Sequence, residues 1–312
     1  MRSRSILLLI ACSLSAPAAA QSPDAGPLLL KFPASTRAVA LGNAWVAGRD
    51  EDVVFYNPAQ IISAARGGFN ATFALIGRNS KFGSMAGAYA AGPMSFTLGW
   101  GVQILNYSVK LNQRYPFAPD VLTSSGAAGA LSVLLTGGGA IVLKGVRVGV
   151  TAKYASDRVT TPFFQVAEAQ PRHDALVADV GIARNLFGGV LGFSAQNLRR
   201  SSASNPLHVA VPQQALLGWT TTQQAGQLDL GLAAQVTARR GWLAPGGGIE
   251  VGYGWIEGYS AALRLGARRP ETKAERPFSL GASFNGDHLA LEYALQLFDG
   301  GHKMNRMTVR WR

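Results

Sequence analysis

Nine charged side chains occur in segments where bulky apolar residues fill every second position, and they fall on the positions in between, among glycine, serine and threonine. Residues two apart lie on one face of a β-strand, so all nine share the small, polar face. They are Arg147, Lys153, Asp179, Asp229, Glu250, Arg264, Glu292, Arg306 and Arg310. Charges on such a face can line a conduit, grip a segment placed beside them, or neutralise one another. We favour mutual pairing, because charges in a confined space need partners.

A second set of basic residues forms three Arg–Arg pairs that fall in predicted loops: Arg199, Arg200, Arg239, Arg240, Arg268 and Arg269. Guanidinium groups form strong, charge-assisted hydrogen bonds with phosphates. We therefore predict that these loops contact lipopolysaccharide phosphates, with an ordinary solvated surface as the alternative. Neither a recognition helix nor an aromatic platform accompanies the arginines, which argues against nucleic-acid binding.

The residues that catalysis would need are poorly arranged. Three of the four histidines lie in predicted loops, and Gly258–Ala261 misses the G-x-S-x-G pattern of a nucleophile elbow. The runs Gly137–Gly139 and Gly246–Gly248 are predicted turns, and neither carries the Lys-Ser/Thr of a phosphate-binding loop. We predict that the protein is not an enzyme and uses neither a cofactor nor a metal.

The elements that position these residues are predicted strands. The clearest runs from Phe96 to Ile104, where Leu98, Trp100 and Val102 alternate with glycine, threonine and glutamine. About fourteen such segments follow Gly67. Only 15% of residues are charged, against about a quarter in soluble domains. The pattern predicts an all-β fold, a closed antiparallel transmembrane barrel with its bulky face toward lipid. A soluble, exported β-sandwich that buries this face is the alternative.

The predicted connections largely alternate between short and long. The short ones are 92–93, 185–189, 223–226, 256–258 and 285–287, and the long ones are 107–122, 156–174, 198–213, 238–246 and 268–277. Short periplasmic turns and long outer loops give this alternation. Two places depart from it, because 78–80 is short and 135–145 is long where the opposite is expected.

The N-terminus predicts export. Arg2 and Arg4 precede the apolar run Ile6–Leu14, and Ala18–Ala20 forms a small-residue cleavage site, so residues 1–20 resemble a secretory signal peptide. Lipoprotein processing at Cys12 is the alternative. Because Cys12 is the only cysteine, the mature chain has no disulfide, and its formal net charge falls from +12 to +10. We predict a location in the bacterial outer membrane, with outer-membrane lipid as a partner.

Residues 21–66 precede the predicted barrel of residues 67–312 and have a different character. Ser35 is predicted to cap a short helix that continues to Val46, and Asp50 a second one that stops before Asn57 and Pro58. In a barrel, such an apolar segment has its natural place inside the lumen, as a plug. Its predicted plug residues are Leu41, Trp45, Val46, Phe55, Asn57 and Pro58.

Several stretches, taken in order, resemble the N-terminal signature and later segments of FadL-like outer-membrane proteins, especially the PorV/PorQ group. They are Arg37–Ala47, Asp50–Asp52, Phe55–Ala59, Gly149–Tyr154, Ser194–Leu198, Leu263–Gly266, Leu291–Leu295 and Phe298–Lys303. The resemblance covers nearly the whole mature chain. One departure is at the end, where Arg312 follows Trp311 although outer-membrane barrels usually finish on an aromatic residue.

The resemblance implies a barrel of fourteen strands with an N-terminal hatch. For FadL relatives it implies uptake of hydrophobic compounds, such as long-chain fatty acids or aromatic hydrocarbons. We therefore predict a barrel that binds or passes hydrophobic small molecules through a hatch-plugged lumen. For PorV relatives the resemblance implies a role in type IX secretion, so the alternative is a barrel that binds secreted protein cargo without transporting a solute.

Overall fold

A computed structural model describes residues 27–64, 66–77, 80–91, 96–109, 128–160, 172–199, 211–256, 258–272 and 274–311, which form a closed antiparallel barrel of fourteen strands. The strands are β1 (Arg66–Ile76), β2 (Ser80–Ala91), β3 (Phe96–Val109), β4 (Ala128–Leu143), β5 (Val146–Thr160), β6 (Arg172–Leu186), β7 (Gly189–Leu198), β8 (Gln214–Ala225), β9 (Leu228–Arg239), β10 (Trp242–Ile256), β11 (Tyr259–Arg268), β12 (Glu275–Asn285), β13 (Leu289–Phe298) and β14 (Lys303–Trp311). In this part of the chain, the helices are too short or too polar to cross a membrane.

The barrel closes between its first and last strands. β1 pairs with β14 from Phe69 opposite Trp311 to Ile76 opposite Met304, and every other strand pairs with its neighbours in sequence. Closure leaves no unpaired strand edge, which is the condition for placing a β-sheet in hydrocarbon.

The outer surface carries the bulky apolar side chains. On β3, Leu98, Trp100 and Ile104 are each about 45% exposed, whereas Thr97 and Gln103 are at most 3% exposed. The same alternation repeats around the barrel. Large apolar side chains in such numbers on an outer surface require a hydrocarbon environment. The predicted orientation of the two strand faces is therefore confirmed, and the soluble sandwich is excluded.

The connections correct two predicted loops. The stretch 135–145 is not a long connection, because β4 continues to Leu143 and a two-residue turn leads into β5. The stretch 238–246 is not a loop either, since β9 and β10 are joined by residues 240–241. The predicted glycine turns at 137–139 and 246–248 therefore lie inside strands. At one end of the barrel all connections have two to four residues. We assign this end to the periplasm, because periplasmic turns of such barrels are short.

The N-terminal segment, residues 27–64, contains 3₁₀ turns at Leu28–Leu30, Glu51–Phe55 and Pro58–Ala64 and one short helix, α1 (Thr36–Ala40). Ser35 caps α1 as predicted, because its Oγ accepts a hydrogen bond from the Ala38 amide at 3.2 Å. The helix stops at Ala40 and does not reach Val46. Asp50 does not cap the second predicted helix, which is a 3₁₀ turn, because its carboxylate is bound to other side chains.

This segment lies inside the barrel. The amides of Trp45 and Val46 donate to Gln235 Oε1 on β9 at 2.9 and 2.8 Å, while Thr36 Oγ1 lies 2.6 Å from Thr308 Oγ1 on β14. Bonds to inward-facing residues of well-separated strands place the segment across the lumen. In the described part of the chain, 15 of the 31 buried residues of the main apolar core come from this segment.

Candidate functional site

Arg310 joins the N-terminal segment to the barrel wall through three carboxylates. Its Nε donates to Glu51 Oε2 at 2.7 Å, its Nη2 to Asp50 Oδ2 at 3.2 Å, and its Nη1 to Glu292 Oε1 at 3.1 Å. The side chains of all four residues are less than a tenth exposed. Two of the acids come from the segment and one from β13, so this arginine acts as a cross-link between two parts of the chain.

Glu250 forms a second cross-link. Arg37 of α1 donates to it from Nε at 3.0 Å and from Nη2 at 2.5 Å, and Arg264 on β11 donates to the same carboxylate. Arg264 Nη2 also lies 3.8 Å from Glu292 Oε1, which links the two networks. Charge is shared along a chain of alternating arginines and glutamates, which offsets the cost of removing each from water.

Arg306 holds the beginning of the segment by a different contact. Its guanidinium lies 5.3 Å from the centre of the Phe32 ring and 4.6 Å from that of Phe82, and its Nη1 donates to the Pro33 carbonyl at 2.6 Å. The side chain is 1% exposed. A cation between two aromatic faces is stabilised by the ring quadrupoles, more strongly where water is excluded.

The remaining predicted lumen-facing charges make polar contacts with at most two groups each in the described part of the chain. Lys153 Nζ lies 2.6 Å from Asp179 Oδ2, and both side chains are buried. Arg147 donates at 2.8 Å to Ser63 Oγ in the segment and at 2.8 Å to Asn185 Oδ1. Asp229 is half-buried near the periplasmic end of β9. The structure therefore uses these charges partly for pairing and partly for holding the segment.

The six predicted plug residues are all buried, and most of them contact the wall directly. In the described part of the chain, ten inward-facing glycines lie opposite the N-terminal segment so closely that a Cβ on any of them would be less than 3.0 Å from its atoms. They are Gly99, Gly101, Gly149, Gly181, Gly192, Gly218, Gly246, Gly248, Gly266 and Gly281. We call these ten residues the glycine seats. Half of them admit the backbone of the segment, and the other half receive its side chains. The five that face backbone atoms are Gly149, Gly192, Gly246, Gly248 and Gly266.

The glycine seats were missed from the sequence, as were the glutamines that bind the segment. Gln196 Nε2 donates to the carbonyls of Phe55 and Tyr56 at 3.1 and 2.5 Å, and Gln235 receives two amides. Both glutamines occupy small-face positions in their strands. A polar amide at such a position was the available signal, but nothing in the sequence indicated its partner.

The outer-loop arginines are arranged differently from the prediction. Arg239 and Arg268 are the last residues of β9 and β11 and are not in loops. Arg239 donates to Glu271 at 2.9 and 3.2 Å, and Arg268 donates to Glu275 at 3.1 Å. Arg269 donates to the Leu243 carbonyl. Arg199 is half-buried, Arg240 is exposed in the β9–β10 turn, and Arg200 lies outside the described residues.

A small cleft of about 50 Å³ remains between the N-terminal segment and the wall. One side is the segment, from Leu29 to Ala34. The other is formed by inward-facing residues of several strands, among them Gln103, Leu134, Lys153, Gln196, Gln214, Leu216 and Gln235. Trp242, Arg268 and Arg269 lie at its outer rim.

Asp52 is expected to make the docking of the segment pH-dependent. It is fully buried, and neither carboxylate oxygen has a hydrogen-bond partner in the described part of the chain. Burial, together with Asp50, Glu292 and Glu51, raises its pKa well above the usual value despite the attraction of Arg310. A raised pKa means that the docked segment holds a proton that the released segment loses, so docking is strongest in acid and weakens as pH rises.

Replacing Asp52 with asparagine is expected to remove this dependence above about pH 6. Burial also raises the pKa of Asp50, to about 6, so a residual slope between about pH 4 and 6 should remain. Urea unfolding between pH 4 and 9 measures the slope, whose ceiling is about 1.4 kcal/mol per pH unit for one proton. Asp287→Asn, at an exposed turn, is the matched control. Parallel profiles for wild type and Asp52→Asn would contradict the assignment.

Solved structures with the same architecture include two toluene transporters. TodX from Pseudomonas putida superimposes with a TM-score of 0.58 at 9% identity, covering 88% of this chain and 96% of that one. TbuX from Ralstonia pickettii gives 0.55 at 12% identity, covering 89% and 97%. A TodX deletion variant described as a monoaromatic hydrocarbon channel gives 0.53 at 9% identity, covering 89% and 97%. No family model and no curated protein sequence matches the chain.

These similarities, at such low identity, show the fold. The chain is a closed, fourteen-stranded outer-membrane β-barrel, and the solved structures that share its architecture include toluene transporters. Its apolar outer surface fits that location independently.

Proposed function

We propose that this outer-membrane barrel binds or passes hydrophobic small molecules, and that the N-terminal segment is its plug. The observation that carries the proposal is the position of the segment, which crosses the lumen and leaves the cleft at one side. The shared fold with toluene transporters supports the same solute class. In this proposal residues 1–20 are a signal peptide, 21–66 the hatch and 67–312 the barrel.

A disulfide between the segment and the wall tests whether passage requires the segment to move. Thr36 and Thr308 face each other with their Oγ1 atoms 2.6 Å apart, and Cys12, the chain's only cysteine, lies in the proposed signal peptide. Oxidised Thr36→Cys/Thr308→Cys is expected to reduce uptake of labelled toluene by cells to background, and reductant should restore it.

The matched control ties two wall strands together instead. Thr72 and Thr308 are register partners on β1 and β14, and their Oγ1 atoms are also 2.6 Å apart. Oxidised Thr72→Cys/Thr308→Cys should leave uptake unchanged. If the segment-to-wall disulfide also has no effect, a moving plug is ruled out.

The alternative is a barrel of the PorV type that binds secreted protein cargo and does not transport a solute. The glycine seats favour it, because segment atoms that fit this closely against the wall are not easily displaced. The two functions differ in a direct measurement. A PorV-type barrel should co-purify with an exported protein and give the same toluene uptake as an empty-vector strain.

Lipopolysaccharide binding by the outer arginines is also a proposal. Arg239 and Arg268 are already paired with Glu271 and Glu275, so they can offer phosphates less than the sequence suggested. Arg269, which lies at the rim and donates to the Leu243 carbonyl, is the better candidate for a phosphate contact.

A further inference from the structure

A groove of about 460 Å³ lies on the outer surface of the barrel and extends from β8 to β12. Its floor is a row of three small residues on neighbouring strands, Ala234, Gly247 and Ala267, of which Gly247 is the register partner of both others. The same row continues to Trp219 opposite Ala234 and to Phe278 opposite Ala267. Two aromatic side chains therefore flank a trough in which three successive strands offer almost no side-chain volume.

The groove is apolar and separate from the lumen. Every residue that lines it is apolar, including Leu232, Ile249 and Leu265, which are about half exposed on its periplasmic side. Behind the floor, β10 stays paired with β9 and β11 without a break in register, so the groove does not open through the wall. An occupant must therefore reach the groove from the surrounding membrane and not from the lumen.

The groove opens near the outer rim of the barrel and slopes into the outer leaflet. Ala267 is next to Arg268, the outer end of β11, whereas Ala234 lies five residues from Arg239, the outer end of β9. Strands of such barrels tilt by about 35–45°, so a row of register partners crosses the membrane obliquely. A chain that enters over Ala267 therefore descends toward Trp219, deeper in the hydrocarbon.

A guanidinium group lies where the groove meets the outer rim. Arg269 follows Ala267 by two residues and is exposed. Its amide donates to the Pro245 carbonyl at 2.9 Å, and its Nη1 donates to the Leu243 carbonyl at 2.8 Å. Both carbonyls belong to the outer part of β10, the strand that places Gly247 in the floor. The two bonds therefore fix Arg269 directly above the trough.

The carboxylates near Arg269 are already engaged. Glu271 is bound to Arg239 at 2.9 Å, and Glu275 is bound to Arg268 at 3.1 Å. These three arginines and two glutamates leave one positive charge in excess, and Arg269 is the arginine whose partners are carbonyls. A phosphate group complements this charge, because guanidinium and phosphate form strong, charge-assisted hydrogen bonds.

We propose that this groove binds one acyl chain of lipopolysaccharide and that Arg269 binds a phosphate of the same molecule. Lipopolysaccharide lies in the outer leaflet and joins its acyl chains to a phosphorylated headgroup. A phosphate at the rim with a chain below it matches the order of Arg269 and the groove. The inference rests on the outer-membrane location and on the lipopolysaccharide contact in the proposed function, and it names the site of that contact.

A second copy of the chain is a poorer occupant of the groove. Stable interfaces bury roughly 800 Å² from each partner, which requires a broad matching surface. Here the trough is a single row of small residues, and Leu232, Leu265 and Phe278 project beside it. A flexible acyl chain fits such a narrow trough, whereas the wall of a second barrel would contact mainly the projecting side chains.

Binding of lipid A to the delipidated, detergent-purified barrel tests the proposal by native mass spectrometry. The two probes are lipid A and lipid A from which the phosphates have been removed. The wild type is expected to bind lipid A about tenfold more tightly than the dephosphorylated form, because only the former can accept charge-assisted hydrogen bonds from Arg269. In Arg269→Gln the two forms should bind equally, at the weaker level.

Ala234→Leu/Ala267→Leu fills the groove with side chains that point into lipid. It is expected to weaken the binding of both forms about tenfold, because acyl methylenes lose their place in the trough. Ala152→Leu is the matched control, since this alanine is exposed on the outer face of β5 and lies outside the groove. The control should bind lipid A like the wild type, and all variants should keep the wild-type melting temperature.

The lipid that stays on protein extracted from native outer membranes identifies the occupant. Lipid A on the wild type and its loss from the filled-groove variant would support the inference. A phospholipid in its place, or a barrel dimer that the same substitutions dissociate, would overturn it. Equal lipid A binding by the wild type and the filled-groove variant, or a phosphate preference that survives Arg269→Gln, would overturn it as well.

Toluene uptake by cells separates this inference from the proposed transport. The filled-groove variant should keep wild-type uptake, because the groove does not open into the lumen. A wild type that binds lipid A as expected but takes up no toluene would overturn the transport proposal and leave the lipid site standing. Normal uptake without a groove-dependent lipid would do the reverse.

Discussion

Gly266→Ala is expected to prevent the N-terminal segment from seating in the barrel and to lower the free energy of unfolding by about 3 kcal/mol. A Cβ at Gly266 would lie 2.2 Å from the Gly42 nitrogen and 2.6 Å from both the Ala40 oxygen and the Leu41 carbonyl carbon. All three atoms are backbone, so no side chain can rotate away. The turn follows the same wall closely, because a Cβ on Gly42, whose φ is +65°, would lie 2.3 Å from the Ala267 oxygen and 2.6 Å from the Gly247 oxygen.

The measurement is urea unfolding followed by tryptophan fluorescence, together with the temperature at which the compact barrel band is lost on a gel. Gly137→Ala is the matched control, because this glycine lies on the exposed face of β4 and its Cβ would meet nothing within 4 Å. The control should change stability by less than about 0.5 kcal/mol. If Gly266→Ala behaves like Gly137→Ala, the segment is not held by backbone contact at this seat.

The glycine seats also explain why so much of the barrel, but not all of it, could be predicted from the sequence. Alternation of bulky and small residues is a local property of each strand, so it predicted the strand number, the closed sheet and the outward face. A run of glycines hides this alternation, because glycine is also common in turns and such a run is easily assigned to a turn. Gly246–Gly248 was interpreted as a turn although it lies within β10, where two of its glycines receive the segment.

In the candidate site, too, contacts within the wall could be predicted from the sequence, whereas contacts with the segment could not. Strand periodicity placed Glu292 and Arg310 on one face, and their pairing at 3.1 Å is between neighbouring strands. The partners Asp50 and Glu51 come from about 260 residues earlier in the chain. Contacts at that distance depend on how the segment enters the lumen, and no local spacing in the sequence encodes it.

Arg310→Met is expected to release the N-terminal segment from β14 and to lower stability by about 3 to 5 kcal/mol. Methionine keeps much of the side-chain volume but removes every donor. Asp50, Glu51 and Glu292 would then be buried without the cation that they share. Removing one partner from a buried ion network costs more than the network contributes, because the remaining charges keep their full desolvation penalty.

Two measurements follow from this change. Urea unfolding gives the stability loss, and brief trypsin digestion of the folded barrel should produce cleavage after Arg37, which is protected in the wild type by its bond to Glu250 inside the lumen. Arg276→Met is the matched control, since the Arg276–Asp299 pair lies 2.6 Å apart but with both side chains more than half exposed. An exposed pair contributes about 0 to 1 kcal/mol, so this variant should unfold and digest like the wild type. Equal effects of the two substitutions would mean that the buried network does not hold the segment, and that its other contacts with the wall fix it in the lumen.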